Sequence, residues 1–168
     1  MTNSDDIRQI AYQFRQMLLR DRSQAAKILQ QYPEIIDTPV YGKSETALHF
    51  FAVENELEIV VWLLSHGANP NGICEMASPF HDAASLRLVD VCRALLEAGA
   101  DPNKIDALGE TALHKASQVG NIPLIELLLD AGADPKIREM CGLLPIQQAL
   151  PRKQKQVHAA FTNRRKPE

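Results

Sequence analysis

No stretch of this chain is long and apolar enough to lie hidden in a bilayer. Its longest strongly apolar run is IVVWLL at 59–64, against the roughly 20 residues a spanning helix needs, so no membrane segment is expected. Aromatic residues are few, at 5%, and the core must therefore be built from aliphatic side chains. Cysteines are few and odd in number: Cys74, Cys92 and Cys141 form no CxxC pair and read as free thiols of a reducing, cytoplasmic compartment. The opening MTNSDD has no basic n-region with an apolar stretch behind it, so no secretory leader is expected. Phosphate-loop, nucleophile-elbow and HExxH patterns are missing as well, and with them the usual sequence signs of a catalytic or cofactor site.

What is present is ordinary in bulk: 168 residues, 45% hydrophobic and 23% charged, enough for one soluble domain. The net charge of −3 hides an asymmetry. Residues 151–168 carry +5, from Arg152, Lys153, Lys155, Arg164, Arg165 and Lys166 against Glu168, which leaves the preceding 150 residues at −8. An acidic body lacks the basic face that phosphate binding requires, so nucleic acid is not an expected partner. The basic end reads either as a solvated tail or as a contact for an acidic partner or nucleic acid within a larger assembly.

The informative feature is a period. TALH stands at 46–49 and 111–114, with SPFH between them at 78–81, so His49, His81 and His114 are 32 and 33 residues apart. Other columns keep the same step. Fourteen and fifteen residues after each histidine come Leu63–Leu64, Leu95–Leu96 and Leu128–Leu129; then Gly67–Ala68, Gly99–Ala100 and Gly132–Ala133; then Pro70, Pro102 and Pro135. Chance does not hold so many columns in register, and a repeated structural unit does.

Each column has a physical reading. Thr46, Ser78 and Thr111 are good N-caps, and Ala47, Pro79 and Ala112 suit the first helical position. A first helix of about two turns stops at Asn55, Arg87 and Gly120, where the backbone must turn left-handed; Arg87 accepts that less readily than its counterparts. A second helix begins with Glu58, Asp90 and Pro123 in its first turn, buries the leucine pair at helical spacing, and ends at Gly67, Gly99 and Gly132. A loop then returns the chain to the next unit. Neighbouring helices pack roughly 8–10 Å apart, so three histidines on successive units cannot converge on a zinc ion, whose ligands sit about 2 Å away. The imidazoles are expected to bond near their own Thr or Ser and to a neighbouring loop. Cys92 is expected in the core, and Cys74 and Cys141 in partly exposed loops.

GETALHKASQVGNIPLIELLLDAGADP at 109–135, with good matches at 45–71 and 78–103, resembles the ankyrin repeat. That resemblance implies an all-α solenoid of stacked helix-turn-helix units with projecting hairpins, binding other proteins through loop tips and the first-helix face. On this frame the domain divides into an N-terminal capping unit (1–40), repeats at 41–74, 75–106 and 107–139, a C-terminal capping unit (140–162) and a disordered basic tail (163–168). The first helix of the N-terminal cap, about 5–19, is amphipathic through Ile7, Ile10, Ala11, Phe14, Met17 and Leu18. LPIQQAL at 144–150 stands where TALHKAS stood, and Val157 and Phe161 fall on core columns. The second unit is one residue shorter in its loop and has Met76 where the next two have Gly109 and Gly142. Hairpins one and two should therefore differ from hairpin three.

The sites with no packing duty in such a unit are the loop tips and the residues four and five after the histidine. Here they are Lys43, Cys74, Met76, Leu108, Met140 and Cys141 at the tips; Val53, Ser85 and Gln118 at four; Glu54, Leu86, Val119 and Arg152 at five. Polar residues are expected there, yet Val53, Met76, Leu86, Leu108, Val119 and Met140 are apolar. One reading is scattered surface apolars, which are common. The other is one apolar strip, acidic at Glu54 and basic at Arg152, that takes a protein partner. No cofactor, no metal and a monomeric state complete the expectation.

Overall fold

Side-chain caps mark the start of the chain's second helix and of the first helix in each repeat. The computed structural model describes residues 4–40, 45–72, 74 and 76–162; Lys43 at the first loop tip and the basic residues of 163–168 lie outside them. The chain opens with α1 (Ser4–Arg20) and α2 (Arg22–Gln31). Between them the Asp21 carboxylate accepts from the amides of Ser23 and Gln24, at 3.0 and 3.1 Å. α1 buries Ala11, Phe14 and Leu18, the spacing of one helical face. Pro33 follows the end of α2 and starts a 3-10 turn over 33–37.

Three helix pairs follow: α3 (Ala47–Val53) with α4 (Leu57–Ser65), α5 (Pro79–Ser85) with α6 (Val89–Glu97), and α7 (Ala112–Val119) with α8 (Ile122–Asp130). Asn55, Arg87 and Gly120 separate the members of each pair with φ of 60°, 65° and 62°, so the three different residues make the same left-handed turn. Gly67, Gly99 and Gly132 end the second helices with φ of 92°, 90° and 87°. First helices stack on first helices and second on second along the array. The apolar columns meet at these seams. Leu48, Leu63, Leu95, Leu113 and Leu128 have no exposed surface, and each such burial is worth about 1.5–3 kcal/mol.

The last unit departs from its phased reading. Where TALHKAS forms α7, LPIQQAL forms only a 3-10 turn over 145–148. Pro145 opens the segment and Pro151 closes it, and a proline disfavours α geometry in the residue before it. α9 (Gln154–Thr162) then packs on α8 and on that turn. Val157 is fully buried and Phe161 is half-buried against the core, while Gln154, Lys155, Gln156 and His158 face solvent, as the closing face of a solenoid requires.

Hairpins precede the first helices. The two that follow repeats two and three, at 106–110 and 139–143, are built alike: Asp106 N–H donates to Glu110 O at 2.9 Å and Glu139 N–H to Leu143 O at 3.1 Å. Gly109 and Gly142 take the left-handed site of each, with φ of 74° and 82°. The hairpin before α5 differs. Cys74 and Ala77 pair directly, N–H to O at 2.8 and 3.1 Å, one residue closer in sequence than the pairs of the other two. The Cys74 side chain is buried, correcting the expectation of a partly exposed thiol. Cys141 is exposed and Cys92 buried, with burial pushing the Cys92 thiol up to about 12.

Candidate functional site

The hairpin tips are joined edge to edge by backbone. Ala107 N–H donates to Met76 O at 2.8 Å, and Met140 N–H donates to Leu108 O at 3.1 Å. These bonds place Met76, Leu108 and Met140 on one ladder, with 54%, 48% and 75% of their surfaces exposed. A second apolar row runs along the C-terminal ends of the first helices. Leu86 caps α5 at 50% exposure, and Val53 and Val119, at the ends of α3 and α7, are half-buried. Arg87 ties this row together by donating from its guanidinium to Val119 O at 2.8 Å. The apolar residues thus form two rows at opposite ends of the first helices, separated by seven or eight residues of helix, about 10–12 Å.

Between the rows, the groove they bound carries the position just after His49, His81 and His114 and its counterpart after Gln147, a column of Phe50, Asp82, Lys115 and Gln148, all half-buried. Both of its charges are paired within the chain. Asp82 Oδ2 lies 2.6 Å from His49 Nε2. Lys115 Nζ is 2.9 Å from Asp106 Oδ2 and in contact with the Glu110 carboxylate, which also accepts from Gln118 at 2.8 Å. Burial works against the charged forms of Asp106 and Lys115, but their mutual bonds outweigh it: Asp106 is held below the usual carboxylate range and Lys115 is raised. The groove therefore has apolar margins and a floor whose charges are already compensated. The sequence reading missed this floor. The variation down this column, from aromatic to acid to base to amide, was the signal that could have revealed it.

The histidines themselves are structural. His81 Nδ1 lies 2.8 Å from the Ser78 hydroxyl and accepts from the Ser78 amide, and its Nε2–H donates to Lys104 O at 2.9 Å. His114 repeats the pattern with Thr111 and with Leu143 O at 3.3 Å. Burial holds both rings below the ordinary imidazole value. His49 breaks the expected pattern, because its ring reaches the Asp82 side chain. Among the described residues no three His, Cys, Asp or Glu side chains group closely enough to hold a metal ion, and no helix is long and apolar enough to cross a membrane.

Comparison with known proteins agrees with this geometry. A family model described as ankyrin repeats (3 copies) matches residues 17–106, and one described as ankyrin repeats (many copies) matches residues 95–149. Among curated proteins, the chain is 32% identical over 101 residues to Interferon antagonist OPG040 of Vaccinia virus (strain Western Reserve), covering 60% of this chain and 34% of that protein. It is 38% identical over 77 residues to Putative ankyrin repeat protein FPV230 of Fowlpox virus (strain NVSL), covering 44% and 41%. It is 31% identical over 102 residues to Diacylglycerol kinase iota of Homo sapiens, covering 56% and 10%. The chain thus spans between a tenth and about two fifths of these relatives, and what it shares with them is the array itself. With the first model alone matching residues 17–106 of the 168, and with helix pairs, left-handed junctions and stacked hairpins all in the repeat's register, the chain belongs to the ankyrin repeat family.

Proposed function

We propose that this chain is a non-catalytic protein-binding module whose partner lies across the groove between the hairpin ladder and the ends of the first helices. The observation that carries the reading is the exposure of Met76, Leu86, Leu108 and Met140 at sites where the repeat needs no apolar residue for packing. Exposed large apolar side chains that line up, and do not scatter, mark interaction surfaces. The compensated floor adds chemistry to this. Asp82 and Lys115 have partners already, so the groove offers apolar anchorage and not a charge to be matched. The fitting partner presents apolar side chains on a helix or extended segment.

The basic C-terminal end is the weaker candidate for the contact. The Lys153 side-chain stem lies against Gly120, so close that a Cβ built there would sit 2.7 Å from Lys153 Cγ, which gives this lysine a packing role. One relative is an interferon antagonist, and inhibition by occlusion is one form that binding through the groove can take for this chain. Salt separates the readings. A partner is first identified by affinity capture and mass spectrometry, then measured in purified form. Groove binding should change less than threefold between about 50 and 500 mM salt, because apolar contact is unscreened. Binding through the basic end should weaken more than tenfold over that range, and such weakening would reject the groove.

A further inference from the structure

The three repeat histidines occupy one column but not one environment. In the second and third units the ring bridges its own N-cap and a backbone carbonyl further along the chain, Lys104 O and Leu143 O. In the first unit the ring's described partners are side chains. The hairpin that pairs Cys74 with Ala77 carries the buried Cys74 side chain to the ring. His49 Nε2 turns to the Asp82 carboxylate of the next unit at 2.6 Å. The acid is specific to this junction: Lys115 and Gln148 stand at the same position of the next two units.

We propose that His49 and Asp82 form an ionic pin between the first and second units, and that this pin makes the α3–α5 junction a joint that loosens as pH rises above neutrality. The groups facing the ring support it. From α5 comes Asp82, and from the short hairpin the Cys74 thiol. From its own helix, the Thr46 hydroxyl accepts from the His49 amide and not from the ring, and Glu54 faces solvent. α4, packed on the other side, turns Glu58 to solvent, where it bonds Arg22. The 3-10 turn at 33–37 turns Glu34 and Asp37 outward, and Asp37 accepts from the Asn69 amide. Arg15 and Glu45 face each other at 3.7 Å near the start of α3. Lys115, the counterpart of Asp82 in the next unit, works against protonation of His81, whereas Asp82 favours protonation of His49.

Burial disfavours the charged ring, but Asp82 first and Cys74 second outweigh it, and the His49 pKa is raised to about 9. In the unfolded chain an imidazole titrates near about 6.5. The pin's contribution is therefore complete below pH about 6.5 and is lost as pH rises through about 9. Asp82 is 39% exposed, so solvent screens the pair, and the expected loss is about tenfold to a hundredfold in the equilibrium that keeps the junction closed.

The test is an NMR titration of the full chain between pH about 5.5 and 10, with amide exchange measured across the same range. His49 should titrate with a midpoint near 9, and His81 and His114 below 6.5. Exchange protection of α3 and α5, corrected for intrinsic rate, should fall tenfold or more between pH about 7 and 9.5 while that of α7 and α8 holds. In Asp82→Asn the midpoint should drop below 7 and the selective fall should vanish. A wild-type His49 midpoint below 7, or protection falling equally in all four helices, overturns the proposal. Either reading comes from the wild-type chain, so an unstable variant leaves the test intact.

Discussion

Val157→Ala tests whether α9 closes the array or merely trails from it. Val157 is fully buried between α8 and the 3-10 turn at 145–148. The substitution removes two methyl groups, worth roughly 0.8 kcal/mol each by transfer. Neither α8 nor the proline-bounded turn is free to collapse onto the gap, so a cavity term adds to that. The expected loss is about 2 kcal/mol, or a fall in Tm of about 4–8 °C for a chain of this size. Urea unfolding should be followed twice. Far-ultraviolet circular dichroism reports the whole array, and fluorescence reports Trp62, the single tryptophan, in the first unit. Because units contact mainly their neighbours, the dichroism transition should shift more than the Trp62 transition. Val157→Asp goes further. A carboxylate buried there without a partner costs more than α9 gains by docking, so the helix should release and the variant should match a chain ending at Leu150. A loss below about 0.5 kcal/mol for Val157→Ala, or a Val157→Asp variant as stable as the wild type, would show that α9 carries no packing load.

Further substitutions probe the turns and the floor. Gly120→Ala should cost about 1–2 kcal/mol, since φ is 62° there and a side chain pays about that in left-handed geometry; displacement of Lys153 adds to the cost. Arg87→Gly at the equivalent site should come within about 0.5 kcal/mol of wild type by urea melt, because relief of backbone strain offsets the lost bond to Val119 O. Lys115→Met leaves two buried carboxylates facing each other and should cost about 3 kcal/mol at neutral pH. The folded Asp106 pKa lies below its unfolded value, so its contribution is present above pH about 4 and lost below it. In Lys115→Met the carboxylates take up protons more readily, and the stability gap to wild type should narrow by pH about 3.

The repeat was legible because its signal is covalent spacing: the N-caps, leucine pairs and C-cap glycines recur in step, and each acts within its own unit. Arg87 was read correctly at a left-handed junction although it is neither glycine nor asparagine, because Asn55 and Gly120 in the same column define what the backbone does there. The last unit was harder. Aligning LPIQQAL with TALHKAS respects the column of Leu113 and Ile146 but not the two flanking prolines, which limit the segment to a 3-10 turn. Cys74 was misplaced because a count of loop length does not show which way a side chain points. Of the groove, the apolar margins were visible as misfits to the repeat. Their separation into two rows, and the pairing of Asp82 with His49, depend on contacts between residues about 33 apart, for which a single unit's pattern holds no information.

Affinity of the purified partner for Leu86→Glu with Leu108→Glu, set against wild type, tests the binding face most directly. The two leucines are 50% and 48% exposed, so charges there are solvated and the Tm should stay within about 2 °C. Residues central to an interface typically cost about 2 kcal/mol or more when lost, so the account predicts at least a 30-fold rise in Kd, measured by calorimetry at moderate salt. A folded double variant that binds its partner as tightly as wild type would contradict it and place the contact elsewhere on the array.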